Sequence, residues 1–358
     1  MVPQLFLESL FIYETKLGIF REVRPLSVNY RFKNQPYIFM RRSLLTFLFL
    51  FFPVSVALGW GFFAHKQINK HAVFTLPPPM FAFYKYYIHY ITESSVNPDK
   101  RRYVIEGEAP RHYIDIDHYG DRALWEMPRY WRQAVALHSE ETLLKHGILP
   151  WHIYRMKHAL TAAFQQKDAC RILKLSADIG HYIADANVPL HTSENYNGQL
   201  TGQEGIHGLW ETRLPELFSD SYDFFTGRAA YIKDPQQRAW EAIICAHKAV
   251  NDVLALEKQL SREFPAMKQY SFEQRGSTLQ KVYSIAYSQA YHELLDGQVE
   301  RQIRASVKMV GDFWLTCWVD AGQPDLDTLL ERPLKKEELQ EHFPKHKKLK
   351  VRSCSECE

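Results

Sequence analysis

Two short stretches carry side chains able to hold a metal ion. The first, HYIADANVPLH at residues 181–191, contains His181, Asp185 and His191, with Pro189 just ahead of the last. His181 and Asp185 stand four apart, so on a helix they share one face, with Cβ atoms about 5–6 Å apart. One ion could take both. Pro189 ends that helix, and His191 turns back from the exit loop. The second stretch, HGLWE, repeats the spacing with His207 and Glu211. Imidazole and carboxylate are the usual ligands of a hydrolytic zinc. A single His-x-x-x-Asp pair is commonly a buried histidine bonded to an acid. Two such pairs flanking a further histidine point to metal.

Such residues need helices to position them, and the chain offers many. Apolar side chains recur at three- and four-residue intervals. The pattern predicts helices over 62–75, 81–92, 126–146, 150–165 and 168–187, and one starting near 206. Two long amphipathic segments follow, over 235–262 and 274–318. Pro77-Pro78-Pro79 reads as the stop of the first helix, and residues 93–120 as irregular, with Asn97-Pro98 and Ala109-Pro110 as breakers. A Gly/Asn-rich loop is expected over 192–205. No alternating strand pattern, internal repeat or linker stands out. The expectation is an all-α fold, one multi-helix domain over 60–325. A polar tail over 326–358, including KKEELQEHFPKHKKLK, is expected to be solvated.

Composition agrees with a globular domain. The 358 residues are 46% hydrophobic and 24% charged, ample for a sizeable core. A formal net charge of +3 is too small to argue for nucleic acid or membrane by charge alone. Five cysteines (Cys170, Cys245, Cys317, Cys354, Cys357) are odd in number and scattered, so they make no disulfide framework. The amino-terminal region is more informative. Met40-Arg41-Arg42 precedes SLLTFLFLFFPVSVAL at residues 43–58, and the run ends in Ala57-Leu58-Gly59. This reads as a signal peptide over 40–59, cut between Gly59 and Trp60. The run is short for a spanning helix and Pro53 interrupts it, which disfavours an uncleaved anchor. Residues 1–39 read as a non-native extension. The mature chain would begin at Trp60 and be secreted or periplasmic.

Further residues complete a pattern. They are Trp60 and His65 in WGFFAH, Asp99 in NPDKRR, and His112 in RHYIDID. Together with the two stretches above, they resemble the superfamily of bacterial zinc-dependent phospholipases C and fungal and plant single-strand-specific zinc nucleases. The resemblance covers residues 60–310, concentrated in 60–65, 99–115 and 181–211. It implies an α-helical fold holding three Zn2+ ions. Asp99, His112 and His181 would hold one ion, with Asp185 bridging to a second. That second ion would also take the amine and carbonyl of Trp60, and His65. His191, His207 and Glu211 would hold the third. Zinc lowers the pKa of a bound water from 15.7 to about 7, so the implied reaction is hydroxide attack on phosphorus. The third ion would receive the leaving oxygen. Asp99 is the candidate to orient or deprotonate the water, and Asp185 is catalytic as the bridge.

The resemblance places Arg102 near the phosphate. It places Tyr113 and Asp115 where nucleases set an aromatic ring and a carboxylate against a base, although the phospholipases share the pattern. His71 rivals His65, whose distance from Trp60 matches the nucleases better. His118, Asp115 and Asp117 are candidates to orient ligands from behind. Trp210 and the aromatic run 81–90 read as core, and His146 with the remaining histidines as surface or core.

The function expected is exported, zinc-dependent phosphodiester hydrolysis, with single-stranded nucleic acid as substrate and no stable protein partner. His65 behind Trp60 and the Trp of HGLWE lean that way. Glu211 in place of Asp, and the compact loop between His191 and His207, lean towards a phospholipid head group. The other alternative is a helical protein that zinc merely stabilises, by about 10–16 kcal/mol. The absence of thiolate ligands counts against it.

Overall fold

The computed structural model describes residues 61–276 and 278–340. Trp60, the signal segment and residues 341–358 therefore lie outside the described residues. The fold is all-α, with one small hairpin. Helix α1 (Phe62–Ala72) is followed by α2 (Pro78–Tyr86), α3 (Ile88–Ser94) and the short α4 (Asn97–Arg101). Then come α5 (Trp131–His138), α6 (Glu140–His146), α7 (Leu149–Gln165) and α8 (Ala169–Asp185). After the 206–218 segment, α9 (Pro235–Lys248) and α10 (Val250–Glu263) precede strands β1 (Tyr270–Arg275) and β2 (Thr278–Tyr283). Helices α11 (Ile285–Leu294) and α12 (Gln298–Asp320) complete the body. Among the described residues, no helix is long and apolar enough to cross a membrane.

Helix α8 is the central element. Its amino end is capped by Asp168, whose carboxylate accepts from Arg171 N at 3.0 Å. From Ile179 to Asp185 every residue is buried, as expected of a helix enclosed on all sides. It packs against α1, α3, α7 and α12. Contact with α1 is unusually close. Asn69 Nδ2 donates to Ala177 O at 3.0 Å, and a Cβ on Gly180 would lie 2.1 Å from Asn69 Oδ1. Only a residue without a side chain lets α1 approach this far. Trp314 of α12 seals another face, donating from Nε1 to Ser176 O at 3.1 Å.

Several expected elements differ. The helix expected over 126–146 is two, because Ser139 takes a positive φ of 65° and its hydroxyl caps α6 by accepting from Thr142 N. Pro78 and Pro79 open α2 in its first turn, where a missing N–H costs nothing, and Tyr87 divides α2 from α3. Ala249 separates α9 from α10. The segment from 274 begins in a hairpin. β1 and β2 pair antiparallel from Tyr270↔Tyr283 to Arg275↔Thr278, turning at Gly276 with φ 60°. Arg213 holds this hairpin with two guanidinium bonds to Glu273 and one to Tyr283 O. The tail expected from 326 starts as packed chain: Leu326 and Leu339 are buried, and Leu334 N donates to Tyr87 OH at 2.9 Å.

Candidate metal centre

Five separate segments converge on the carboxyl end of α8. The close approach of Asn69 to Gly180 sets the first contact. His65 lies one turn before Asn69 on α1, and its ring stacks on His181 with centroids 3.9 Å apart. Asp99 comes from the first turn of α4. His112 ends a short 3-10 turn and is followed by extended backbone. That backbone is tied on both sides: Ile114 N donates to His191 O at 2.9 Å, and Leu149 N donates to Tyr113 O at 3.2 Å. His191 lies in the turn opened by Pro189. His207 and Glu211 lie in the helical segment that begins at Ile206, which widens into a π turn over Leu209–Arg213.

Asp185 is the hub. Its Oδ2 lies 3.0 Å from His112 Nδ1 and 3.2 Å from His181 Nε2. Its Oδ1 lies 3.5 Å from His65 Nε2 and 3.3 Å from His191 Nδ1. One carboxylate thus faces two imidazole sets with different oxygens. Asp99 Oδ1 is 3.7 Å from both His112 Nδ1 and His181 Nε2. In the third set, Glu211 Oε2 is 2.9 Å from His207 Nε2 and 3.4 Å from His191 Nε2. The structure therefore brings together all eight of the described residues predicted as ligands, each no more than 8% exposed. Three groups of this cluster could hold an ion: Asp99–His112–His181, His65–His181–Asp185 and His191–His207–Glu211.

The donor chemistry fits zinc. His181 Nδ1 donates to Ser95 O and His207 Nδ1 to Tyr196 O, each at 2.8 Å. With the proton committed there, the Nε2 lone pair of each neutral ring faces inward. Those lone pairs meet carboxylate oxygens at 3.2 and 2.9 Å, contacts that a shared proton or a metal ion must join. Tetrahedral zinc spaces its ligand atoms about 3.3–3.6 Å apart, close to the separations found. Asp99 Oδ2 and His191 Nδ1 are buried without a hydrogen bond, costly for polar atoms that have no other use.

Electrostatics keep the imidazoles in their ligand form. Burial, reinforced by neighbouring histidines, holds His65 and His112 well below the usual value. Burial also raises Asp99 to about 6 and Asp185 to about 8, with Glu211 adding to the latter. Glu211 goes the other way. Burial acts upward on it, but His207 and His191 beside it hold it at about 2.

Other expected site residues lie around this cluster. Arg102 Nη1 is 3.8 Å from Asp99 Oδ1, a half-buried cation at the edge. Tyr113 OH donates to Lys145 O at 3.3 Å, and Asp115 Oδ2 lies 3.4 Å from His146 Nδ1. These two belong to a neighbouring group rather than to the hub. His71 stacks on Phe224 at 4.1 Å, away from the cluster, which leaves the position to His65. Trp210 is fully buried and donates to Gln298 Oε1 at 3.0 Å. Sequence reasoning did not single out Glu108. It is buried beneath His112, with Oε1 3.9 Å from His112 Nε2, and it accepts from Tyr182 OH and Arg111. Nor did it find the group of His118, His146 and Glu194, whose ligand atoms also lie within 4.8 Å of one another.

No family model and no curated protein matches this chain. Solved structures similar to it include the alpha toxin from Clostridium absonum, with a TM-score of 0.43 and 14% identity over 74% of this chain and 65% of that one. Another is the Clostridium perfringens alpha-toxin from avian strain SWCP, with a TM-score of 0.43 and 14% identity over 74% of this chain and 64% of that one. The chain thus spans less than two thirds of the length of either.

Proposed function

We propose that this chain is an exported, zinc-dependent phosphodiester hydrolase acting on single-stranded nucleic acid. The observation that carries the reading is Asp185, a buried carboxylate whose two oxygens face two different imidazole sets. A closed structural site has no need of such a bridge, whereas hydrolytic centres share one carboxylate between ions. Asp99, His112 and His181 would hold the first of three Zn2+ ions. His65 and Asp185, with the amine and carbonyl of Trp60, would hold the second. His191, His207 and Glu211 would hold the third. When bound, the ions supply a water acidified to near neutrality and positive charge for the phosphate.

The remaining work falls to the protein. Asp99 offers Oδ2, which carries no hydrogen bond, to orient the attacking water and take its proton. Its carboxyl, raised to about 6 by burial, is matched to proton transfer near neutral pH. Arg102, beside Asp99, positions a phosphate oxygen by charge. Ser95 and Tyr196 carbonyls fix the tautomers of His181 and His207. The burial of the cluster excludes bulk water and strengthens each of these interactions.

A phospholipid head group is the second reading. One observation favours it: the 192–205 loop is compact and closed on itself. Asn195 Oδ1 accepts from Leu200 N at 2.8 Å, and Asn197 Oδ1 accepts from Gly205 N at 3.0 Å. The deciding experiment assays zinc-loaded protein, cut before Trp60, on bis-p-nitrophenyl phosphate, single-stranded DNA, RNA and phosphatidylcholine. Turnover of the first with preference for DNA or RNA is expected. Preference for phosphatidylcholine moves the assignment to phospholipase C. No turnover of any substrate by protein that holds zinc leaves only the structural role. Protein that keeps Gly59 should bind one zinc fewer, and an unchanged zinc content removes Trp60 from the ligand set.

A further inference from the structure

A second His/carboxylate group lies beyond the hub, and the reaction proposed above does not use it. Asp115 and His118 sit at the start of and within the 3-10 turn Ile116–Tyr119, His146 ends α6, and Glu194 follows the His191 turn. The rings of His118 and His146 stack with centroids 3.3 Å apart and planes 10° apart. Glu194 Oε1 lies 3.1 Å from His118 Nδ1 and 3.6 Å from His146 Nδ1. Asp115 Oδ2 lies 3.4 Å from His146 Nδ1. We propose that His118, His146 and Glu194, with Asp115 behind His146, form an additional, exchangeable site for a divalent ion of the zinc class.

His146 lies at the centre of this group. The residue is 6% exposed, and its Nδ1 is buried without a hydrogen-bond partner. The two carboxylate oxygens nearest to it lie beyond the usual 2.7–3.2 Å range of an N–H···O bond. An imidazole nitrogen facing two carboxylates beyond ideal hydrogen-bond length, alongside a second imidazole, forms a donor set that a divalent cation can draw together. Two imidazoles with carboxylates suit zinc better than magnesium or calcium, which take oxygen ligands.

The group is also built in advance. Asp115 N donates to His146 O at 2.7 Å, joining two of its segments through the backbone. Asp117 clamps the third: its carboxylate accepts from Ser193 Oγ at 2.6 Å and from Glu194 N at 2.9 Å. Gly147 keeps the crossing tight. Its φ is 92°, and a Cβ there would lie 2.1 Å from Tyr113 O. The open side is formed by the side chains of His118 and Glu194, which are 35% and 43% exposed. An ion can therefore enter from bulk solvent and leave again.

Position gives the site a role. The segments His112–His118 and His191–Glu194 each carry a residue of the hub and a residue of this group, and the Ile114–His191 backbone bond joins them. An ion here would brace the backbone that presents His112 and His191.

The test is equilibrium dialysis of the full-length protein against rising free zinc, with His118→Ala and Glu194→Gln in parallel. Both altered side chains are solvent-accessible, and far-ultraviolet circular dichroism reports whether the fold is kept. The unsubstituted protein should show one binding step that both variants lack, each variant ending one zinc equivalent lower. Glu126→Gln, an exposed acid elsewhere, should keep the full count. Diffraction at the zinc edge should place an anomalous peak beside His146 Nδ1. Identical binding curves for all proteins overturn the proposal. So does a loss of more than one equivalent in both variants, which would show that these residues only support the hub.

Discussion

The hub around Asp185 and the group around His146 use the same donors, two imidazoles or more with carboxylates, in opposite surroundings. At the hub, His181 is 0% and Asp185 1% exposed, and the outward nitrogens of His181 and His207 are tied to backbone carbonyls. At the outer group, only His146 and Asp115 are buried, and the side chains of His118 and Glu194 are partly exposed. Charge interactions gain strength as water is excluded, whereas exposed pairs are worth about 0–1 kcal/mol. On the proposed reading, the same chemistry would serve tight holding in one place and exchange in the other, and burial, rather than ligand type, separates the two groups.

That contrast can be broken most sharply at the hub. Asp185→Asn keeps the shape but removes the charge facing both imidazole sets. Turnover of bis-p-nitrophenyl phosphate should fall about a thousandfold, with loss of at least one zinc by elemental analysis. Full activity in this variant would end the bridging assignment. Gly180→Ala attacks the scaffold instead. The added methyl meets the Asn69 side-chain amide, so Asn69 must give up its bond to Ala177 O or α1 must shift. Unfolding in denaturant should show a loss of about 1–3 kcal/mol, with weaker zinc retention at the hub.

A third measurement compares protonation. Burial pushes the Asp185 carboxyl up to about 8, so without an ion it holds a proton at neutral pH. Zinc needs the carboxylate. Zinc binding at pH 7 should therefore release about one proton from this group, and much less above about pH 9. His65 and His112, held below their usual range by burial, are already neutral at pH 7 and release none. Calorimetric titrations in buffers of different ionisation heat read this directly, and binding heats independent of buffer would contradict it. The smallest effect is expected from Asp168→Ala. Loss of the α8 cap should cost about 1 kcal/mol in chemical denaturation while leaving the zinc content unchanged.

The legibility of the two groups differs for the same reason as their chemistry. His181 with Asp185, and His207 with Glu211, are visible in the sequence because one turn of helix places ligands four apart. His65, Asp99 and His112 have no such local signature and entered only through resemblance to a family. The outer group is not legible as a group: His118 and Asp115 stand out only as candidates to orient ligands, and His146 and Glu194 not at all. His146 and Glu194 come from distant segments, joined by backbone hydrogen bonds that no periodicity encodes. The helical body was readable from apolar spacing, but its breaks were not. Ser139 at positive φ interrupts an otherwise helical pattern. The β1–β2 hairpin was missed because Phe272 and Leu279 point outward, 69% and 65% exposed, so its apolar residues mark no buried face. Within the described part of the tail, most residues are exposed, and Leu326 and Leu339 dock it to the body.

The contact of Asn69 with Gly180 reaches further than packing. It joins α1 to α8, elements far apart in the chain, and the two rings that stack beside it meet only after that junction has closed. A nascent or denatured chain therefore presents scattered histidines and no pocket. On the proposed reading, metal would be captured by the folded chain, and its binding free energy would add to the stability of the native state. Chelators should accordingly lower thermal stability as well as activity, and refolding should become more complete when zinc is present from the start.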